Sequence, residues 1–116
     1  MIDYYKKRRL EKGYIIDAEF TVSVRGKEFV RKGQYSIPLD LESRIDLLGL
    51  IERAKNGESI KYTFAHDMDV VFESEEFLQH AYEALALYSK IHHMAKEANG
   101  LEDQELSEKI RELVVA

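Results

Sequence analysis

The feature that most constrains the fold of this chain is a hairpin that leads directly into a long helix. Residues 59–64 and 69–72 alternate between apolar and polar side chains, and a short polar turn at 65–68 separates them. Alternation with a period of two is typical of strands that bury one face. Residues 74–99 instead repeat their apolar side chains at helical spacing. A small antiparallel hairpin packed against a helix of this length predicts an α+β fold.

A second hairpin is predicted in the first third of the chain. Residues 14–24 are rich in β-branched and aromatic side chains, and residues 16–24 alternate between apolar and polar, which predicts a half-buried strand. Gly26 tolerates positive φ and therefore favours a tight turn. Residues 28–30 are expected to return as the second strand, residues 32–34 break the pattern, and residues 35–37 resume an extended backbone. The two hairpins either remain separate or join into one sheet.

Helices are predicted before, between and after the hairpins, and two or three of these helices are expected to pack against the hairpins. Asp40 is a good N-cap for a helix over residues 40–55, and Ser74 is the expected cap of the long helix. Shorter helices are predicted at residues 3–12 and 103–114. The expected buried stripe of the second helix is Ile45, Leu48, Ile51 and Ala54, widened by Leu47 and Leu50. That of the long helix is Phe77, Ala81, Ala84, Tyr88, Ile91 and Ala95.

The long helix is longer than the hairpin that it covers. At 1.5 Å per residue, residues 74–99 span roughly 37 Å. Its C-terminal half therefore needs a further partner, which is either the last helix folded back or a second chain. We expect a single domain over residues 1–116, with a C-terminal helix at 101–116. Residues 1–13 are expected to form a basic arm that is flexible or ordered only by a partner.

Composition excludes several classes of protein. The chain has no cysteine, which excludes disulfides, thiol catalysis and thiolate zinc sites. No apolar run approaches the ~18 residues that a membrane-spanning helix needs, and the start of the chain has no apolar stretch of the signal-peptide type. We therefore expect no membrane partner and a location in the cytoplasm.

Charge is distributed unevenly along the chain. Residues 1–35 carry nine basic and five acidic side chains, a net charge of +4, whereas the remaining residues carry eight and seventeen, a net charge of −9. A basic segment beside Tyr4 and Tyr5 could contact phosphates and stack on bases, so a small nucleic-acid-binding or regulatory protein is one alternative. The acidic remainder of the chain opposes nucleic-acid binding. The residues that would make these contacts are Lys6, Lys7, Arg8 and Arg9.

No pattern for catalysis, cofactors or metal ions stands out. His80 lies about 120° from His92 and about 220° from His93 around a helix, so neither pair shares one face. The polar turn at 66–69 could hold a hard cation, but it lacks the ligand spacing and the glycine of a calcium loop. The serines lie outside any nucleophile-elbow context, and the glycines form no phosphate loop. We expect no enzymatic activity, no cofactor, no metal and no small-molecule substrate.

Three stretches carry a resemblance to a known family. They are the extended segment and helix start at 34–47 (QYSIPLDLESRIDL), the helix end at 54–57 (AKNG), and the cap of the long helix at 72–77 (FESEEF). Together with the hairpin they resemble a domain of unknown function found in phage and prophage tail-region proteins, over about residues 34–100. The chain departs from the family at Arg44, where Gln is common, and in its turn, which lacks Asp-Gly. The family has no established catalytic residues.

The resemblance implies a non-enzymatic structural or assembly role in a phage tail module. The partners would be other copies of the chain, other phage tail proteins, or both, in the host cytoplasm or in the virion. Because the long helix exceeds the hairpin, its C-terminal half and the last helix are the expected contact surfaces. The residues expected at this interface are Tyr88, Ile91, Met94, Leu106, Ile110, Leu113 and Val114.

Overall fold

The computed structural model describes residues 1–116 and confirms the α+β fold, with four helices and one four-stranded antiparallel sheet. A short 3-10 turn at Ala65–Asp67 connects the third and fourth strands. The elements in chain order are α1 (Ile2–Lys12), β1 (Tyr14–Val24), β2 (Lys27–Ile37), α2 (Leu41–Lys55), β3 (Ile60–Phe64), β4 (Met68–Phe72), α3 (Ser74–Ala98) and α4 (Asp103–Val115). No helix has the length and apolar character that crossing a bilayer requires.

The two hairpins join into one sheet with the strand order β2-β1-β4-β3. Strands β1 and β2 pair over eleven residues, β3 and β4 pair over five, and the Ser23↔Asp69 pair connects β1 to β4. The turn between β1 and β2 has positive φ at both Arg25 (51°) and Gly26 (82°), as a two-residue hairpin turn of the primed type requires. The β1–β2 hairpin is therefore the longer of the two and joins β4 near its own turn.

The predicted interruption of β2 at residues 32–34 is wrong, because β2 runs unbroken to Ile37. Strand β1 is long enough to pair every residue of β2, and Gly33 lies directly opposite Ala18. A Cβ at position 33 would come within 3.2 Å of the Arg31 guanidinium, which occupies the space above the glycine. Pairing with β1 and the packing of Arg31 thus outweigh the low strand propensity of glycine.

The helices cover one face of the sheet, and the core lies between them. Inward-facing residues of all four strands share one hydrophobic core with α2 and α3, while Asp17, Glu19 and Thr21 of β1 are exposed. Five rings form an aromatic cluster with neighbouring centroids 4.9–6.2 Å apart: Phe20, Tyr35, Phe64, Phe72 and Phe77. Edge-to-face pairs of this kind each contribute about 0.5–1.5 kcal/mol beyond their area burial. The cluster bridges the two hairpins where they share only one ladder pair.

The caps and the buried face of α2 differ in part from expectation. Asp40 is the N-cap of α2, as predicted: its carboxylate accepts hydrogen bonds from the backbone N–H of Ser43 at 3.4 Å and from the Ser43 hydroxyl at 2.6 Å. Ser74 does not cap α3, since Glu73 precedes the helix and makes no side-chain cap. The predicted stripe of α2 is wrong at Ile45 and Leu48, which are 59% and 52% exposed. The residues of α2 that are buried are Leu47, Ile51 and Ala54.

The C-terminal half of α3 is covered by the chain's own α1 and α4. Of the two predicted alternatives, the last helix folded back is the one observed, and Lys109 of α4 lies 3.3 Å from Glu97 of α3. Residues 1–13, expected as a basic arm, form a helix that packs on both α3 and α4. The Cα radius of gyration is 16.2 Å, against about 13 Å for a compact domain of this length. The molecule is thus elongated, with principal extents of 52 × 28 × 20 Å.

Candidate functional site

A group of cationic side chains surrounds His92 on the C-terminal half of α3. We call it the His92 cluster, and its members are Lys6 of α1, Arg44 of α2, and Tyr88, His92, His93 and Lys96 of α3. Tyr88, His92 and Lys96 are spaced four apart, so they line one edge of α3. Because α1 and α2 both pack against α3, they bring Lys6 and Arg44 to this edge from distant parts of the sequence.

The His92 cluster is held by specific contacts. Lys6 Nζ lies 3.0 Å from Nδ1 of His92, and because an ammonium can only donate, Nδ1 accepts this hydrogen bond. The imidazole is then neutral, with its proton on Nε2. The ring of His92 stacks on that of Tyr88 at a centroid distance of 5.8 Å and an angle of 17°, and Arg44 Cζ lies 3.6 Å from the centroid of the Tyr88 ring. Tyr88 therefore orients both the guanidinium and the imidazole.

Positive charge dominates the electrostatics of the His92 cluster. The Lys6 ammonium is the main cause that lowers the pKa of His92, followed by desolvation and by the charges of Lys96, His93 and Arg44. Lys6, Arg44 and Lys96 form no ion pair with any carboxylate. Arg44 Nε is also buried without a hydrogen-bond partner. This edge of α3 therefore carries a local excess of cations, although the chain as a whole has a net charge of −5.

A second surface feature is an exposed apolar stripe on α2. Leu41, Ile45 and Leu48 are 65%, 59% and 52% exposed, and we call these three residues the α2 stripe. Their spacing of four and three residues places them on one face, away from the buried face of the same helix. Gly49 lies beside the stripe, and a Cβ built on it would meet nothing within 4 Å. This part of α2 is thus an uncovered apolar surface.

Arg9 cannot be the nucleic-acid contact that the sequence predicts, because its side chain is buried. Its Nε donates to the main-chain oxygen of Ala116 at 3.1 Å, Nη2 donates to the same oxygen, and Nη1 donates to the carbonyl of Gly13 at 3.0 Å. Burial lowers the pKa of the guanidinium below its ordinary value. Arg9 therefore ties α1 to the end of α4. Lys6, Lys7 and Arg8 remain at the surface, spread around one turn of α1.

The predicted interface on α3 and α4 is wrong in its central residues. Ile91 and Leu113 have no exposed surface, because they pack into the chain's own core. Tyr88, Met94, Leu106 and Ile110 are half-buried, and Val114 is 47% exposed. Val114 and Ile110 line a shallow apolar depression of about 430 Å³ at the end of α4. The structure therefore does not present these residues as one continuous contact surface.

Two tyrosines have strongly raised pKa values for structural reasons. Burial, followed by the charges of Asp46 and Asp40, raises the pKa of Tyr62 to about 12. Burial and a hydrogen bond to Glu83 raise the pKa of Tyr14 to about 12. A tyrosine hydroxyl is neutral at physiological pH even without these shifts, and that of Tyr14 donates a hydrogen bond to Glu83. Tyr62 lines a cleft of about 520 Å³ between α2 and the edge of the sheet.

The histidines and acidic side chains are dispersed over the molecule. His80 contacts the ring of Phe72, His66 is in the exposed hairpin turn, and His92 and His93 belong to the His92 cluster. No group of three or more His, Asp or Glu side chains is arranged to hold a metal ion.

Comparison of the chain with models of protein families, with curated proteins and with solved structures finds no match.

Sequence reasoning missed the two surface features for different reasons. Lys6 and Tyr88 both stand among the predicted contact residues, but the sequence assigned them to separate sites, and the structure brings them together at His92. Arg44 has no sequence signal for its packing on Tyr88. The α2 stripe did have a sequence signal. Leu41, Ile45 and Leu48 recur at helical spacing in addition to the apolar residues that already form one buried face of the helix.

Proposed function

We propose that this protein is a non-enzymatic structural or assembly protein that acts through protein–protein contacts and is associated with a phage or prophage tail. Its partners are other copies of the chain, other tail proteins, or both. The α2 stripe is the observation that supports contact formation. The resemblance over residues 34–100 supports the association with tails.

The α2 stripe supports a contact because nothing within the chain accounts for it. Single exposed apolar residues are ordinary on protein surfaces. Here three large aliphatic side chains are more than half exposed on one face of a helix whose other face already packs into the core. Their combined apolar surface is on the order of 300 Å², a size at which a patch on a monomer is often functional.

The test follows the chain through assembly in the cell that produces it. Lysates are separated by sedimentation, and the chain is detected with an antibody. Tail association predicts that the chain sediments with tail proteins and that Ile45→Glu moves it to the slow fraction, whereas Val71→Glu does not. Val71 is the matched control because it is 66% exposed on the open face of the sheet. Tails that complete normally without the gene, together with a chain that always sediments slowly, would contradict the proposal.

The second candidate function is nucleic-acid binding or a regulatory role through the N-terminal basic residues. It is favoured by the unpaired cations of the His92 cluster, which adjoin Lys7 and Arg8 through Lys6. Binding of this kind predicts that the logarithm of the DNA affinity falls linearly with the logarithm of salt concentration. Replacing Lys6, Lys7 and Arg8 with Ala should flatten this slope, while Arg9 stays intact because it holds α1 in place. Absence of DNA binding at low salt would remove this candidate.

A further inference from the structure

We infer that the α2 stripe binds a second copy of this chain, with the two α2 helices packed antiparallel across a two-fold axis near Leu48. The inference rests on the proposed function and names its partner and geometry. Four features of α2 carry it: the exposed apolar residues, the exposed glycine beside them, the position of two charges, and the agreement between the registers that the glycine and the charges require.

Gly49 is unexplained by the fold of one chain. Its φ is not positive, so the helical backbone does not require glycine, and a Cβ would meet no neighbouring atom. Glycine is also the least favourable residue except proline in a helix interior. A glycine on a helix surface lets another backbone or a bulky side chain approach closely. Beside the α2 stripe, Gly49 provides a shallow notch that suits a branched aliphatic side chain.

The charges on α2 are complementary to those of a second, antiparallel α2. Glu42 in the first turn and Arg53 in the last turn lie on the same side of the stripe, at about 100° and 120° from Leu41 around the helix. In an antiparallel pair related by a two-fold axis, the same sides of the two helices meet. Glu42 then faces the partner's Arg53, and Arg53 faces the partner's Glu42. Arg53 is free to do so, because its exposed contact with Glu58 at 3.4 Å is of a weak kind.

The register that pairs these charges also fits the apolar residues. Pairing Glu42 with the partner's Arg53 places the axis level with residues 47 and 48, so Leu48 meets its own counterpart. Ile45 then lies within about one residue of the level of the partner's Gly49, on the side where both helices meet. Two independent features, the charges and the glycine, thus require the same register. In a parallel pair, Glu42 and its counterpart lie at the same level but on opposite sides of the interface, so neither the charges nor the glycine are matched.

The contact is small, so the dimer is expected to be weak. The α2 stripe offers on the order of 300 Å² of apolar surface per copy, whereas a stable interface buries about 800 Å² per partner. The flanking charged side chains add polar area but little affinity. We therefore expect a dimer that dissociates on dilution to low micromolar concentrations.

The experiment measures the dimer dissociation constant by analytical ultracentrifugation for the full chain, for Glu42→Arg, for Arg53→Glu, and for an equimolar mixture of the two variants. Each variant alone places like charges opposite each other twice, so its dissociation constant should rise roughly tenfold. In the mixed dimer, both positions of the Glu42→Arg copy carry cations and both positions of the Arg53→Glu copy carry carboxylates. Opposite charges then face each other twice, so association should return to nearly the wild-type level. The antiparallel pair predicts both the weakening of each single variant and the recovery in the mixture, and two weakened variants whose mixture remains weak would overturn the geometry.

Gly49→Gln provides a second readout that does not depend on charge. It should raise the melting temperature of the dilute monomer, because glutamine favours a helix and has open space, and it should weaken the dimer by filling the notch. Val71→Gln should leave the dissociation constant unchanged. A wild-type chain that stays monomeric at millimolar concentration refutes the dimer but not the proposed function, since the α2 stripe would still have to bind a different tail protein in the sedimentation test. A dimer unaffected by Gly49→Gln and by both reversals would refute the use of α2.

Discussion

Leu113 offers a direct test of whether α4 belongs to the core of this chain or is held for a partner. Its side chain has no exposed surface and packs in the main hydrophobic cluster. Replacing a fully buried leucine by alanine removes its transfer free energy and leaves a cavity, at a cost of roughly 2–5 kcal/mol in well-packed cores. Because α4 lies at the edge of the molecule and can relax toward α3, we expect the lower half of this range, about 3 kcal/mol.

The assay is urea unfolding of Leu113→Ala followed by circular dichroism, at a concentration where the chain is monomeric. About 3 kcal/mol corresponds to a fall in melting temperature of about 12 °C for a chain of this length. Val114→Ala is the matched control, because the adjacent side chain is 47% exposed and should change the free energy of unfolding by less than about 0.5 kcal/mol. If both variants unfold like the wild type, α4 is not docked in the isolated chain, and its apolar face is left for another protein.

Three further predictions concern Arg9, His92 and Gly49. Arg9→Met should lower the free energy of unfolding by about 2–3 kcal/mol, measured by urea unfolding, because the buried carbonyl of Gly13 and the part-buried main-chain oxygen of Ala116 lose hydrogen bonds from a charged donor. The pKa of His92 is lowered in the folded state, so below its ordinary value of 6.5 the unfolded chain binds more protons than the folded chain. The contribution of neutral His92 to the free energy of unfolding is therefore fully present above pH 6.5 and is lost as pH falls through the folded pKa. Lys6→Ala should raise that pKa in a nuclear magnetic resonance titration, and an unchanged pKa would contradict the assignment of Lys6 as the main cause. Gly49→Ala should stabilise the dilute monomer by about 0.5–1 kcal/mol in urea unfolding, since no neighbour opposes the added methyl group.

Local patterns determined much of the fold. The alternation of residues 16–24 correctly predicted the two faces of β1, because only one register puts its apolar side chains inside. The predicted stripe of α3 was correct except at Tyr88, which is only half-buried, since the helix has one clearly apolar face. Asp40 was identified because an N-cap is a local interaction over three residues. In each case the physical cause lies within the element itself.

The errors occurred where a distant partner decides the outcome. Gly33 was predicted to break a strand, but in the fold it pairs with β1, and the Arg31 side chain fills the space above it. From the sequence, Arg9 was predicted to be one of four solvent-exposed cations, but in the fold its side chain donates to the main-chain oxygen of Ala116. Ile91 and Leu113 were assigned to an interface because the sequence cannot tell whether α4 or another chain covers α3. Each case involves contacts between residues far apart in sequence, and the spacing of apolar residues along the chain does not predict such contacts.

The two apolar faces of α2 connect the fold to the proposed function. Rotating α2 by about 100° would bury Ile45 and Leu48, but it would expose Leu47 and Ile51 and remove Arg44 from the Tyr88 ring. The Asp40 cap and the Arg44 contact both hold the helix in its observed orientation. One helix therefore carries more apolar surface than a single packing arrangement can bury. Local signals that disagree with the fold of a monomer tend to occur at functional sites, and here the disagreement is resolved if α2 has two partners, the sheet and α3 on one face and a second protein chain on the other.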